Sequence, residues 1–362
     1  MDVDVTSIKI VVLLTMKTAF RWYGPADRVP LTWLRQMTPQ PRVVTHLDQF
    51  APGETWTVDA IQALRHNLDS HGLQIGPLES VFWSDDMKTG GALRDQHIEA
   101  TIATLRNLRA VFPDEPELIV TYNLMALDWS RTDLAWEHSN GARGLAFDQQ
   151  KWEGMDVSRG LYLPGWGKGY SEAEFRHLSD IYGDKAAMWQ HIHYVLAALV
   201  PVCEELNIRL AAHPNDPPWT TFGLPAMLCN AEDIQKLMSL YPSKANALCF
   251  CTGSFGALPE NDILQMISTF VDNIAWCHLR VTKTTGDRVF HEADHADPAA
   301  DWDLLDIMKA LITAGFDGIY RSDHGLDILH ETELGMRGYP AIDRYTANKM
   351  LWAYHRALTN PL

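Results

Sequence analysis

The chain is short of positive charge. It carries 30 Lys and Arg against 46 Asp and Glu, a formal net charge of −16. A phosphate backbone or an anionic bilayer needs a basic surface, so neither nucleic acid nor membrane is expected as a partner. Any anionic substrate must then be met by a local group of arginines. Cysteine is also scarce. Five residues, Cys203, Cys229, Cys249, Cys251 and Cys277, are too few and too scattered for a disulfide framework. Their odd count points to a reducing, cytoplasmic setting and leaves at least one thiol for other chemistry. Long apolar runs are missing near the start: the stretch Ile8 to Leu14, interrupted by Lys9, is too short to span a bilayer, and acidic residues stand where a signal peptide carries lysines. Residues 1–15 read as an extension ahead of a first strand that follows Met16. There is no internal repeat, no low-complexity tract and no linker, and a single domain over 16–362 is expected.

What is present suits a sizeable core. Apolar residues make up 46% and charged residues 21% of the chain, as in an ordinary globular protein. A length of 362 residues admits two average domains or one large barrel, and the pattern decides between them. Short apolar or β-branched runs recur at about 18–23, 43–47, 75–81, 118–124, 208–213, 247–252, 274–280 and 318–323. Segments of helical period separate them. One is "TVDAIQALRHNLDSHG", with Ile61, Leu64 and Leu68 on one face and Gly72 at its end; another is "DWDLLDIMKALITAG", stopped by Gly315. Eight strands alternating with helices predict an α/β (β/α)8 TIM barrel. One connection breaks the rhythm, because more than eighty residues separate strands four and five where one helix would suffice. The aromatic, Gly-rich insertion at about 125–182 is placed to cover an active site.

Active sites of such barrels form at the C-terminal ends of the strands. Reading those ends from strand five onward gives His213, Cys251, His278 and Asp323. Two imidazoles, a thiol and a carboxylate on four successive strands make a candidate divalent-metal site. Three prolines (Pro214, Pro217, Pro218) follow His213 and stiffen the loop behind it. Strand alternation puts Cys249 on the face of Cys251 one layer deeper, as an apolar filler, and turns Cys277 toward the helices. A rival match is "HEADH", 291–295, which has the H-E-x-x-H form of zinc proteases. That chemistry needs both histidines on one face of a long helix, and the flanking "TTGDRVF" and "ADPAAD" carry no helical stripe.

Taken together, these residues resemble the D-mannonate dehydratase family of the xylose-isomerase-like barrel superfamily. The resemblance runs over 16–354 and rests on "FRWYG" (20–24), "DWSRTD" (128–133), "LPGW" (163–166), "HPNDPPW" with "FGLP" (213–225), "CTGS" (251–254), "PENDI" (259–263), "HLR" (278–280), "FHE" (290–292) and "DHG" (323–325), in that order. It implies a hydro-lyase of hexuronate and glucuronate catabolism that converts D-mannonate to 2-keto-3-deoxy-D-gluconate with Mn2+ or Fe2+, and it places the family's ligands on the same four residues. The chain departs from the family pattern at Asn215, usually Asp, and at Ala226, Val281 and Leu326, where the pattern has polar side chains. The last three bear on which sugar acid is taken.

Dehydrating a 2,3-dihydroxy acid removes the C2 proton and expels the C3 hydroxyl, which calls for a base, an acid and a cation to stabilise developing charge. Four protein ligands leave room for substrate only on a five- or six-coordinate ion. This favours Mn2+ or Fe2+ over tetrahedral Zn2+, with zinc kept as an alternative by the thiol. His324, beside Asp323, and Tyr339, which matches the family's loop tyrosine, are the candidates for proton transfer. Arg21, Arg131 and Arg280 are candidates to meet the substrate carboxylate. Trp22, Asn123, Trp166 and Ser254 are candidates to line the sugar chain. A metal-dependent isomerase or epimerase on the same barrel, and a non-catalytic sugar-acid-binding barrel, remain open readings, as does a homo-oligomer.

Overall fold

The computed structural model describes residues 16–38, 41–81, 83–127, 131–156, 158, 161–162, 169–334 and 339–359. The expected N-terminal extension at 1–15 lies outside the described residues, as does the whole of "LPGW" with Trp166.

Eight parallel strands close into a barrel in chain order: β1 (Lys17–Arg21), β2 (Arg42–Thr45), β3 (Gln74–Leu78), β4 (Leu118–Asn123), β5 (Ile208–His213), β6 (Asn246–Cys251), β7 (Ile274–Leu279) and β8 (Ile319–Ser322). β8 pairs back onto β1, with Ile319 opposite Lys17 and Tyr320 opposite Thr18. The architecture is the (β/α)8 barrel that the alternation predicts, with strand ends within a few residues of those read from the apolar runs.

Strand alternation sorts the core into two layers. The inward residues of the lower barrel are mostly small, among them Ala19, Ala211, Ala247 and Cys249; Trp276 fills the space they leave, and its indole N–H donates to Thr121 Oγ1 at 3.0 Å across the barrel. Outward residues such as Phe20, Phe250 and Cys277 belong to the larger layer beneath the helices. The helices start where their caps stand. Thr57 caps Val58–Ser70, Asp184 caps Lys185–Leu206 and Asp303 caps Leu304–Ala314, each side chain accepting from a backbone N–H of the first turn. Gly315, with φ +87°, ends the last of these.

Two excursions leave the barrel at its C-terminal side. After β4 the chain forms a hairpin, Asp133–Glu137 with Arg143–Asp148, and after β7 a second hairpin, Thr282–Gly286 with Val289–Glu292. Val289–Glu292 pairs antiparallel with Arg143–Asp148, so the two hairpins merge into one four-stranded sheet. This arrangement disposes of the protease match. His291 and Glu292 stand on a strand, where neighbours point to opposite faces, and His295 lies beyond it in a turn rather than one helical turn away.

Candidate active site

Several barrel strands carry a polar inward residue at or next to their C-terminal end, and these meet at the mouth. His213 ends β5 with Nδ1 bonded to the Pro214 carbonyl at 2.8 Å, which leaves Nε2 facing the mouth. Cys251 ends β6 and opens the short helix Thr252–Gly256; its sulfur accepts from Ser254 N at 3.4 Å and Ser254 Oγ at 3.1 Å. His278 is inward on β7, and the ligand atoms of His213, Cys251 and His278 lie within 4.8 Å of one another. Asp323 brings Oδ2 to 3.7 Å from Cys251 Sγ and 3.5 Å from His278 Nδ1, while Arg321 Nη1 donates to its Oδ1 at 2.8 Å.

The donor set fits a divalent cation. His278 is 1% exposed and, among the described residues, makes no hydrogen bond through either ring nitrogen, a costly state for a buried imidazole unless a further partner binds there. Burial, and then the neighbouring His278, push the His213 pKa down to about 4, so it is a neutral ligand near neutral pH. Burial and the Asp323 carboxylate push the Cys251 thiol up to about 12, against the opposing pull of Arg280 and Ser254. A cation at this point reverses that balance and takes the thiolate form. For Asp323 burial acts to raise the pKa, yet Arg321, His324 and His278 outweigh it and hold the carboxyl well below its usual range.

A cavity of ≈ 260 Å³ opens above these donors, a size for a small molecule. Of the side chains expected to meet substrate, Arg21 and Asn123 line it, together with His324 and Tyr339. Arg21 Nη2 bonds His46 Nδ1 at 2.7 Å and Nε lies 3.5 Å from Glu79, while Nη1 is buried without a hydrogen-bond partner among the described residues. That unmatched donor is the sort a carboxylate or hydroxyl would satisfy. His46, Glu79 and Arg321 also line the cavity and were not anticipated. Glu79 accepts from Arg321 Nη2 at 2.7 Å and lies 3.3 Å from His278 Nε2. Burial raises its pKa, but Arg321, His278 and Arg21 together bring it down to about 2. The signal for Glu79 and His46 was available: they stand just past β3 and β2, at the strand ends that a reading begun at strand five passes over.

His324 and Tyr339 stand in direct contact, with Tyr339 Oη 2.7 Å from His324 Nε2. On its other side His324 Nδ1 lies 2.8 Å from Glu292 Oε1. Glu292 is buried, which acts to raise its pKa, but Arg280, His324 and Arg131 bring it down to about 2, so it is a carboxylate and can only accept. The proton of that bond therefore sits on Nδ1; in the neutral imidazole Nε2 is then the acceptor that faces Tyr339, with Asp323 Oδ2 3.7 Å away. Burial, then the charges of Asp323 and Tyr23, raise the Tyr339 pKa well above its ordinary value, so the phenol keeps its proton. The backbone is shaped to this purpose: His324 has φ +52° and Gly325 φ +97°, and a Cβ on Gly325 would fall 1.8 Å from Asp343 Oδ2.

Four expected substrate contacts are not placed as read. Arg131 and Arg280, 0% and 1% exposed, are consumed in a buried ion network instead of facing the cavity. Arg131 Nη2 reaches Asp216 Oδ2 at 2.8 Å and Glu292 Oε1 at 3.3 Å; Arg280 reaches the same Asp216 oxygen at 2.8 Å and grips Glu292 with two bonds of 2.7 Å. Ser254 is fully buried; its hydroxyl donates to Cys251 and accepts from Arg280. Trp22 has the outward parity of Phe20 and packs in the helix-facing core, while Arg21 and Tyr23 take the inward side. The departures from the family pattern also lie off the main cavity. Asn215 closes the proline loop by accepting from Met227 N and Leu228 N. Val281 and Leu326 are buried, and Ala226 lines a small separate cleft.

With the geometry in hand, the comparisons are specific. A family model described as D-mannonate dehydratase matches residues 16–361. A mannonate dehydratase of Enterococcus faecalis is 38% identical over 343 residues, covering 91% of this chain and 94% of that protein. The crystal structure of mannonate dehydratase from Streptococcus suis serotype 2 superposes with a TM-score of 0.84 at 29% identity, covering 95% and 93% of the two chains. A xylose isomerase domain protein from Planctomyces limnophilus, 10% identical with a TM-score of 0.55, shares the barrel fold alone.

Proposed function

The chain belongs to the D-mannonate dehydratase family, and we propose that it dehydrates D-mannonate to 2-keto-3-deoxy-D-gluconate, with His324 and Tyr339 moving the protons beside a divalent cation. The enzyme is a hydro-lyase. The observation that carries the residue-level reading is the Tyr339–His324 contact of 2.7 Å in the cavity that His213, His278 and Asp323 also line, with Cys251 beside them. Those four residues would hold the ion, Mn2+ or Fe2+ in preference to Zn2+. When bound, it supplies the positive charge that makes the C2 proton of a carboxylate substrate more acidic.

The remaining roles fall to the chain. Arg21, through its unmatched Nη1, meets the substrate carboxylate or an adjacent hydroxyl, and Asn123 meets the hydroxyls beyond. His324 Nε2 takes the proton from C2, and the electron pair left there forms the C2–C3 double bond. Tyr339 O–H gives its proton to the departing C3 hydroxyl, which leaves as water. The proton on Nε2 then returns to the phenolate across the 2.7 Å contact, so the pair ends as it began. The enol so formed becomes the 2-keto acid by losing its hydroxyl proton and taking one at C3. The described part of the segment 125–182 serves as part of the roof, a role supported by the ion pairs of Arg131 with Asp216 and Glu292. Cytoplasmic residence is supported by the five unpaired cysteines.

Anaerobic loading with Mn2+ or Fe2+, followed by a keto-acid assay across hexonates and pentonates, tests the reading. Formation of 2-keto-3-deoxygluconate from D-mannonate is expected. Exchange of the C2 proton with deuterium from solvent, without dehydration of any aldonate, would make the protein an epimerase instead.

A further inference from the structure

Beyond the pair that moves the protons, Glu292 is wired to the reaction without touching the cavity. It ends the strand Val289–Glu292 of the roof sheet, is 0% exposed, and is absent from the cavity wall. Its Oε1 accepts from three donors: Arg280 Nη2 at 2.7 Å, Arg131 Nη2 at 3.3 Å and His324 Nδ1 at 2.8 Å. Its Oε2 accepts Arg280 Nε at 2.7 Å. The arginines are themselves tied to Asp216, each at 2.8 Å, so the carboxylate cannot swing away from the imidazole.

We propose that Glu292 is the positioning residue of the active site: by accepting from His324 Nδ1–H it fixes the tautomer whose bare Nε2 faces Tyr339, and its charge stabilises the imidazolium formed when Nε2 takes a proton. The assignment rests on the proton-transfer roles given above to His324 and Tyr339. The chain of contacts runs carboxylate, imidazole, phenol, with distances of 2.8 and 2.7 Å. A buried structural carboxylate could have been satisfied by its two arginines alone. Here the third donor is the imidazole at the reacting end, whose own backbone is held in the left-handed region at φ +52°. The imidazole is thereby fixed at both of its nitrogens. The reaction needs that order: with the proton on Nε2 instead, His324 could accept neither the C2 proton nor the phenol's. The same residue is the glutamate of the H-E-x-x-H match, and the structure gives it a task unconnected with any protease.

The test uses metal-loaded protein and four variants: Glu292→Gln, His324→Asn, Tyr339→Phe and the Glu292→Gln/His324→Asn double. In either orientation the Gln amide lacks the charge, and in one it also reverses the tautomer. Glu292→Gln is expected to lower kcat by ~10²–10⁴-fold, the range reached when a carboxylate behind a catalytic imidazole is neutralised, with KM and metal content unchanged. In the double variant it should add no more than about twofold to the His324→Asn loss, because the imidazole through which it acts is gone. Losses that multiply in the double variant, or that appear in KM or metal content alone, would give Glu292 a merely structural role and overturn the proposal. Normal turnover in His324→Asn and Tyr339→Phe would instead remove the proton-transfer reading, and Glu292's role with it. Should Glu292→Gln fail to fold, the 15N histidine spectrum of wild-type zinc-loaded protein decides. The His324 signals, identified by their loss in His324→Asn, should show the proton on Nδ1 and a bare Nε2; the opposite tautomer overturns the proposal.

Discussion

Replacing Arg280 by methionine separates two accounts of a residue that, by pattern alone, looks like a substrate ligand. Its guanidinium makes one bond of 2.8 Å to Asp216, two of 2.7 Å to Glu292 and a longer one of 3.4 Å to Ser254 Oγ, at 1% exposure. Its stem is held as closely as its head, since a Cβ at Gly253 would lie 2.4 Å from Arg280 Cγ. Methionine keeps most of the stem's volume and deletes the charge. Asp216 would be left with Arg131 as its cation, its Oδ1 already lacking a partner among the described residues, and Glu292 would keep only the 3.3 Å contact to Arg131 and the imidazole. Breaking a buried pair from one side costs ~3–5 kcal/mol, because the abandoned carboxylates cannot recover their hydration. Against a total stability of ~5–15 kcal/mol that is a large fraction. Equilibrium urea unfolding of metal-loaded protein should show it as a lower midpoint. The Arg280→Met/Glu292→Met double variant should lose less than the sum of the two singles, since no carboxylate is then stranded at 292. The reasoning is refuted if Arg280→Met unfolds at the wild-type midpoint while KM for the sugar acid rises, for then the guanidinium does face substrate.

Three further outcomes are expected. Cys251→Ser should sharply lower the metal bound per chain after dialysis, since a serine hydroxyl is a far poorer anionic ligand than a thiolate; full occupancy with full activity would remove Cys251 from the site. Tyr339→Phe and His324→Asn should each reduce turnover by ~10²–10⁴-fold at nearly unchanged metal content and substrate affinity, measured by steady-state keto-acid formation and by metal analysis. Burial, opposed by His295, raises the Asp343 pKa from 3.8 to about 6. The folded state therefore binds the proton more tightly than the unfolded one, and stability fully present below pH 3.8 is lost as pH rises through 6. Asp343→Asn should flatten that slope in urea unfolding between pH 4 and 7, leaving the variant the more stable protein at pH 7; an unchanged slope would show that Asp343 titrates normally.

How much of this was legible beforehand depends on how local the determinant is. Where strands lie and which side chains face inward follows from apolar runs and a period of two, so the barrel and the meeting of His213, Cys251, His278 and Asp323 at its mouth could be read directly from the chain. The same parity placed Cys249 in the barrel interior and Cys277 under the helices. Applied to strand one, it would also have turned Trp22 away from the site. His324 was named for its place beside Asp323, and Tyr339 through the family resemblance, and the contacts that join them to each other and to Glu292 were not visible in the sequence at all.

The sequence by itself determined the layers of the barrel and the chemistry presented at its strand ends, because a strand's facing depends only on its own residues. The tertiary structure alone decided which charges are spent inside the protein and which remain for a ligand. Arg21, Arg131 and Arg280 are alike as residues, yet Arg21 lines the cavity with an Nη1 unmatched among the described residues while the others stand off it, in ion pairs with Asp216 and Glu292, partners as far as 161 positions away in the chain. A guanidinium binds whichever carboxylate lies within about 3 Å, and that proximity is set by how two distant hairpins meet over the barrel, a relation that no local pattern records.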